Sequence, residues 1–255
     1  MMLATLLPAL LATASANAPT LPPLVPLRER AAVENEILEQ RLQQLLPPLM
    51  AEAGLDMWLV LSREYAEDPV YFTLVPQPTF AARRTTLLVF HRRADGSVER
   101  LAVNRYPLGG PYASAWSGGD LEAQWQALGE LIVARDPRRI GINVSRDWAL
   151  ADGLSHGLQQ RLRAVLPEAY QARLVPAEQL VVRWSETRTP AEAPHHAAAM
   201  ATARAVIAEA FSNRVITPGE TTTDDVAWYI RQRFESLNLP VWFQPDVNRQ
   251  RAGDD

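Results

Sequence analysis

Between residues 28 and 53 the apolar positions recur at helical spacing. Val33, Ile37, Leu42, Leu45, Leu46 and Leu49 recur on one face, with Glu and Arg between them. That pattern predicts a long helix with one apolar and one charged face. Pro47 and Pro48 lack the amide hydrogens a continuous helix would use, so the helix is expected to kink or divide there. Gly54 suits its C-terminal end. Met57-Trp58-Leu59-Val60-Leu61 is a short, unbroken apolar run. Such runs form strands buried on both faces. Residues 69–78 predict a loop. Residues 85–90 and 98–103 predict two strands, joined through the hairpin residues Ala94-Asp95-Gly96. A helix over 121–134, a strand over 139–143 and a helix over 148–166, stopped by Pro167, follow. A short extended piece at 174–175 and a helix over 176–184 complete the series. Strands alternating with helices imply an α/β domain with helices on a mixed sheet.

The pattern changes after residue 186. Thr189-Pro190-Ala191-Glu192 has the form of a helix start, with Thr as cap, Pro at the first position and Glu three residues after the cap. The helix is expected to continue through Ala198, Ala201, Ala205 and Ala208 to about residue 214. Thr217-Pro218-Gly219-Glu220 is a tight turn. Thr222 or Thr223 caps a second helix, Asp224 and Asp225 suit its first turn, and Val226, Ile230, Phe234 and Leu237 form its apolar stripe. Val241-Trp242-Phe243-Gln244-Pro245 is extended and aromatic. Residues 189–255 are too few to bury a comfortable core alone. The expectation is a truncated domain: two helices and the first strand of something longer.

Composition narrows the function classes. Hydrophobic residues at 47% and charged residues at 21% are globular values. The net charge of -4, with no dense basic run, gives no reason to expect nucleic acid. All 25 basic residues are Arg, and cysteine is absent, which excludes disulfides, thiolate metal sites and cysteine nucleophiles. Residues 1–18 combine an apolar run with the small residues Ala14-Ser15-Ala16-Asn17-Ala18, as a secretory signal does. The run is too short to span a bilayer. It implies export to a periplasmic or extracellular location; without it the chain would be cytoplasmic. Residues 19–27 are a Pro-rich linker. The expected domains are 28–186 and 187–255.

Candidate chemistry is sparse. Asp152 and His156, and Glu192 and His196, are spaced four apart on expected helices. That spacing serves either a metal or a surface hydrogen-bonded pair. His195 and His196 point about 100° apart on a helix and do not converge on one ion. The Gly109-Gly110 and Gly118-Gly119 pairs lack the context of a phosphate loop. Ser117 is not on a nucleophile elbow. Asp224 and Asp225 are explained by helix capping, and Asp246, Asp254 and Asp255 lie in or beside a loop. The tryptophans are expected in the core, with Trp242 and Phe243 the candidates for lining a substrate pocket. No residue is assigned as catalytic or as a metal ligand.

The segment Leu180-Val181-Val182-Arg183-Trp184-Ser185-Glu186-Thr187-Arg188-Thr189-Pro190-Ala191-Glu192 resembles a known junction. It is similar to the passage from a creatinase-type N-terminal domain into the pita-bread domain of metallopeptidases. That family includes Xaa-Pro aminopeptidase, prolidase, creatinase and methionine aminopeptidase. Ile216-Thr217-Pro218-Gly219-Glu220-Thr221-Thr222 resembles the family's turn before its second helix. Val241-Trp242-Phe243-Gln244-Pro245 stands where its first catalytic-domain strand begins. Gly54-Leu55-Asp56-Met57-Trp58-Leu59 and Arg139-Ile140-Gly141-Ile142-Asn143 are similar too, so the resemblance covers roughly residues 28–250. It implies a hydrolase parent holding two divalent ions, Mn or Co, with two Asp, one His and two Glu. None of those ligands is assigned in this chain, which is expected to bind no cofactor and to be inactive alone. The resemblance also implies peptide substrates cut next to proline, a homodimer, and an N-terminal domain that shapes the partner's pocket, with Tyr71, Phe72 and Trp116 as weaker candidates. A non-catalytic dimerisation or substrate-binding module, and a creatinase-type non-peptidase hydrolase, are the alternatives.

Overall fold

The computed structural model describes residues 20–250 and Gly253. The expected signal segment 1–18, and Asp254 and Asp255, lie outside the described residues. The chain divides into two compact units. One spans Val25–Ala193; the other takes residues from Pro194 onward, together with the described residues before Val25.

The larger unit opens with helix α1 (Leu27–Gln40), a π-helical turn (Arg41–Leu45) and helix α2 (Leu46–Glu52). The expected division at Pro47 and Pro48 takes this form. Neither proline has an amide hydrogen, and the chain passes into α2 through a wider turn in which the Leu46 N–H reaches back to the Arg41 carbonyl. The strands are β1 (Met57–Arg63), β2 (Thr85–Arg92), β3 (Val98–Asn104), β4 (Ala113–Ser114), β5 (Ile140–Ile142) and β6 (Leu174–Pro176). They form one mixed six-stranded sheet in the order β4-β3-β2-β1-β5-β6. Helices α3 (Leu121–Arg135), α4 (His156–Val165), α5 (Glu168–Gln171) and α6 (Glu178–Glu186) complete the unit.

Alternation along the strands builds two cores. Trp58 and Val60 of β1, with Leu88 and Phe90 of β2, face Leu42 of the π turn, Leu46 and Met50 of α2, and Leu180 and Trp184 of α6. Met57, Leu59 and Leu61, with Leu87 and Val89, face Trp125, Leu128 and Ile132 of α3 and Leu158 and Leu162 of α4. The unbroken apolar run in β1 is thus explained: both faces are covered, and each buried side chain contributes about 1.5–3 kcal/mol. At Gly129 a Cβ would lie 2.7 Å from the Val165 carbonyl, so the helix α3 backbone runs close to α4.

The α3 start is capped by Asp120, whose Oδ1 accepts from Ala123 N at 2.8 Å. The β2–β3 hairpin closes through Arg93 N to Ser97 O at 2.8 Å, with Gly96 at φ 84°. The two-residue β4 carried no periodicity to find. The helix expected over 148–166 is corrected. Residues Ala149–Ala151 form a single 3-10 turn, and α4 begins only at His156, with Ser155 as its cap. Gly153 interrupts the run because its backbone lies against Asp68 and Pro69.

In the smaller unit, α7 (Ala193–Ala210) and α8 (Thr223–Ser236) pack through Val206, Ala210, Val226 and Ile230, with Leu21 and Val247 against them. α8 has the capping box expected of it: Thr222 Oγ1 accepts from Asp225 N, and Asp225 accepts from Thr222 N. The start of α7 is corrected. Residues 190–192 are turn, and Thr189 Oγ1 has no partner among the described residues. The expected strand over 241–245 is corrected too: Trp242 and Phe243 form a bend, and no strand lies beside them among the described residues of this unit.

Candidate functional site

Five strands of the sheet run in one direction. β1 is antiparallel to β2 and β2 to β3, while β4, β5 and β6 continue parallel to their neighbours. The carboxyl ends of β1, β3, β4, β5 and β6 therefore share one edge. In open α/β sheets this is the edge where ligands bind.

At the β1–β5 centre of that edge lies a buried polar chain. Trp58 Nε1 donates to Asn143 Oδ1 at 2.7 Å, and Asn143 Nδ2 donates to Asp68 Oδ2 at 2.8 Å. Asp68 Oδ1 accepts from Val70 N at 3.0 Å, and Asp68 N donates to Ser62 Oγ at 3.1 Å. Ser62 ends β1's buried run and Asn143 follows β5, so the parallel pairing of these strands brings them together. Asp68 is 1% exposed. Burial pushes its carboxyl from 3.8 up to about 6, against the opposing pull of the Val70 amide and the Asn143 side chain. A carboxyl of that acidity is suited to proton transfer. Yet Asp68 lines neither of the two clefts at this edge, so its described role is to join loops to the sheet.

The first cleft, of about 440 Å³, opens past β5 and β6 between Ser145, Asp147, Asp152 and Glu178. Ser145 Oγ donates to Glu178 Oε2 at 2.5 Å and accepts from Trp148 N at 2.9 Å; Ser145 N donates to Asp152 Oδ1 at 3.1 Å. Asp152 is thus bonded to the β5 loop and does not share a helix with His156. The Ser145 hydroxyl has no imidazole beside it in this set of bonds, so it is a loop staple.

The second cleft, of about 520 Å³, lies before β2 and past β3 and is lined by Arg84, Arg105, Tyr106, Trp116, Asp120 and Gln124, among others. Gln124 Nε2 closes its floor, donating to the Thr85 and Val103 carbonyls at 2.9 and 2.8 Å. Arg84 and Arg105 were not singled out by sequence; only the paired Arg83-Arg84 before a strand hinted at them.

The residues singled out by sequence are dispersed. Trp242 and Phe243 are 86% and 77% exposed, in the smaller unit. Tyr71 is buried in the core, with Phe72 edge-on to it at 5.2 Å. Trp58, Trp125 and Trp184 are core residues as expected, whereas Trp148 and Trp228 are exposed. His195 and His196 are exposed on α7. His91 Nδ1 lies 3.5 Å from Glu99. Its pKa is lowered by burial, outweighing the neighbouring Glu99 charge. Among the described residues no three His, Asp or Glu side chains converge on a point where an ion would sit. No described helix is long and apolar enough to cross a membrane.

One further feature lies in the segment 184–192. Arg41, in the π turn, stacks 4.3 Å over the Trp184 ring, donates to the Trp184 and Thr187 carbonyls, and pairs with Glu192 at 2.9 Å. Glu192 also accepts from Thr189 N at 2.7 Å. Burial opposes ionisation of Glu192, but the Thr189 amide and the Arg41 guanidinium outweigh it and lower its pKa. Comparison with protein-family models returns no match, and comparison with curated proteins returns none either.

Proposed function

We propose that this chain is the N-terminal portion of a metal-dependent peptidase resembling Xaa-Pro aminopeptidase and prolidase, and that its own work is binding and positioning. On this reading residues 28–186 form a creatinase-type domain, and α7 and α8 are the first helices of a pita-bread domain. The observation that carries it is the order of elements: a two-faced α/β domain, the junction at residues 187–192, and two helices joined by the Thr217-Pro218-Gly219-Glu220 turn. The Arg41 clamp on Trp184, Thr187 and Glu192 supports it, because a domain that presents another must fix its exit segment.

The described residues do not fit a two-metal site, since no three ligand side chains converge. No catalytic step is therefore derived through metal ions; in the parent enzyme they would be held by residues beyond those described. The parent's substrates would be peptides cleaved beside proline, its location exported if residues 1–18 act as a signal, and its assembly a homodimer. A second reading, a dimerisation or substrate-binding module without catalysis, is favoured by one observation. Met200, Ile207 and Phe211 form an exposed apolar stripe on α7 and just beyond it.

The test is an incubation of the purified chain with Xaa-Pro peptides and added Mn or Co. The proposal expects no release of the N-terminal residue above the buffer rate. Metal-dependent turnover by this chain would refute it.

A further inference from the structure

The cleft between the start of β2 and the end of β3 has an unusual balance of charge. On a chain of net charge -4, it gathers Arg84 and Arg105 on its wall, with Arg83 adjoining. None of the three makes an ion pair with a carboxylate among the described residues. The one acidic residue on the wall, Asp120, is turned to its own helix, accepting from Ala123 N at 2.8 Å.

The arginines are held in place without being neutralised. Arg105 Nη2 donates to the Gly119 carbonyl at 2.7 Å, and its guanidinium lies 6.0 Å from the Trp116 ring centre. Its other donors remain for a ligand. Arg83 lies 4.3 Å over the Tyr106 ring. The β2–β3 register pairs Thr86 with Asn104; continued by two residues, it sets Arg84 opposite Tyr106. The backbone supporting this arrangement is strained. Tyr65, Arg83 and Arg84 take φ values of 69°, 37° and 68°, a region that favours glycine. Glu64 N to Arg84 O at 3.0 Å, and Arg84 N to Glu64 Oε2 at 3.2 Å, hold Arg84 there. Strained, over-determined backbone beside a cleft is a mark of functional sites.

We propose that this cleft binds a small ligand that carries an oxyanion on a planar ring. Guanidinium donors left free of carboxylates take the oxyanion. Tyr106 and Trp116 supply flat apolar surface for the ring. Phosphate and carboxylate heads share this chemistry. The inference does not depend on the peptidase reading, since it rests on the cleft alone.

Titration calorimetry of the whole chain with phenyl phosphate, benzoate and inorganic phosphate tests it. Saturable binding of phenyl phosphate or benzoate is expected, and the tighter of the two identifies the head group. Inorganic phosphate is expected to bind about tenfold more weakly than phenyl phosphate for want of a ring. The double variant Arg84→Gln/Arg105→Gln should lower affinity about tenfold or more. Tyr106→Ala should weaken the ring-bearing ligands but not inorganic phosphate. Arg105→Gln alone, with an unchanged unfolding midpoint, guards against a folding artefact. No saturable binding of either ring-bearing ligand, unchanged affinity in the double variant, or inorganic phosphate binding as tightly as phenyl phosphate would overturn the proposal.

Discussion

Asn143 donates its Nδ2 to Asp68 Oδ2 across 2.8 Å while its Oδ1 accepts from Trp58 at 2.7 Å. One amide thereby ties a loop carboxyl to a core ring. Because burial raises the Asp68 carboxyl from 3.8 to about 6, this residue makes folding pH-dependent. Its contribution is full below pH 3.8, falls as pH rises through about 6, and is absent above that. The span corresponds to on the order of 3 kcal/mol. Asp68→Asn removes the titration but not the shape. The free-energy gap between wild type and Asp68→Asn, measured by denaturant unfolding, should therefore favour wild type more at pH 4 than at pH 7.5. An identical gap at both pH values would refute the assignment.

Gly153 is expected to tolerate no side chain. A Cβ there would lie 2.3 Å from the Asp68 carboxyl and 2.5 Å from Pro69 Cδ, and neither the buried carboxyl nor the proline ring can swing away. Gly153→Ala should destabilise the chain by about 1–3 kcal/mol. A thermal midpoint equal to wild type would show that the loop yields freely.

Arg41 and Glu192 should behave as one unit. Truncating Arg41 leaves the Trp184 and Thr187 carbonyls without this donor and Glu192 with only the Thr189 amide, a loss that costs about 1–3 kcal/mol at a partly buried pair. Arg41→Met combined with Glu192→Gln should cost less than the sum of the two single changes. Strict additivity in that cycle would mean the two residues are not coupled.

The exposed stripe of Met200, Ile207 and Phe211 is expected to promote association of the chain. Sedimentation velocity should show oligomers that Ile207→Glu/Phe211→Glu shifts toward monomer. A monomeric wild type that binds no hydrophobic dye would contradict this.

The helices, the apolar β1 run and the β2–β3 hairpin were legible in sequence because each follows from local periodicity or turn chemistry. The α/β class followed from them. What was not legible depends on residues distant in sequence. The helix over 148–166 fails because Gly153 must meet Asp68, 85 positions earlier. Thr189 N still donates to Glu192, but Glu192 also pairs with Arg41, 151 positions away, and the helix starts only at Ala193. Asp68, Asn143, Arg84 and Arg105 carry no motif; only the sheet's register and the shared direction of its strands place them at one edge. Trp242 and Phe243, chosen for their aromatic character, lie exposed because nothing among the described residues covers them.

The central proposal is that this chain positions and binds, no ion-holding set of side chains converging among the described residues. Equilibrium dialysis of the purified, metal-stripped chain against Mn and Co, followed by elemental analysis, tests it most directly. The account predicts far less than one ion retained per chain, whereas two tightly held ions per chain would contradict it.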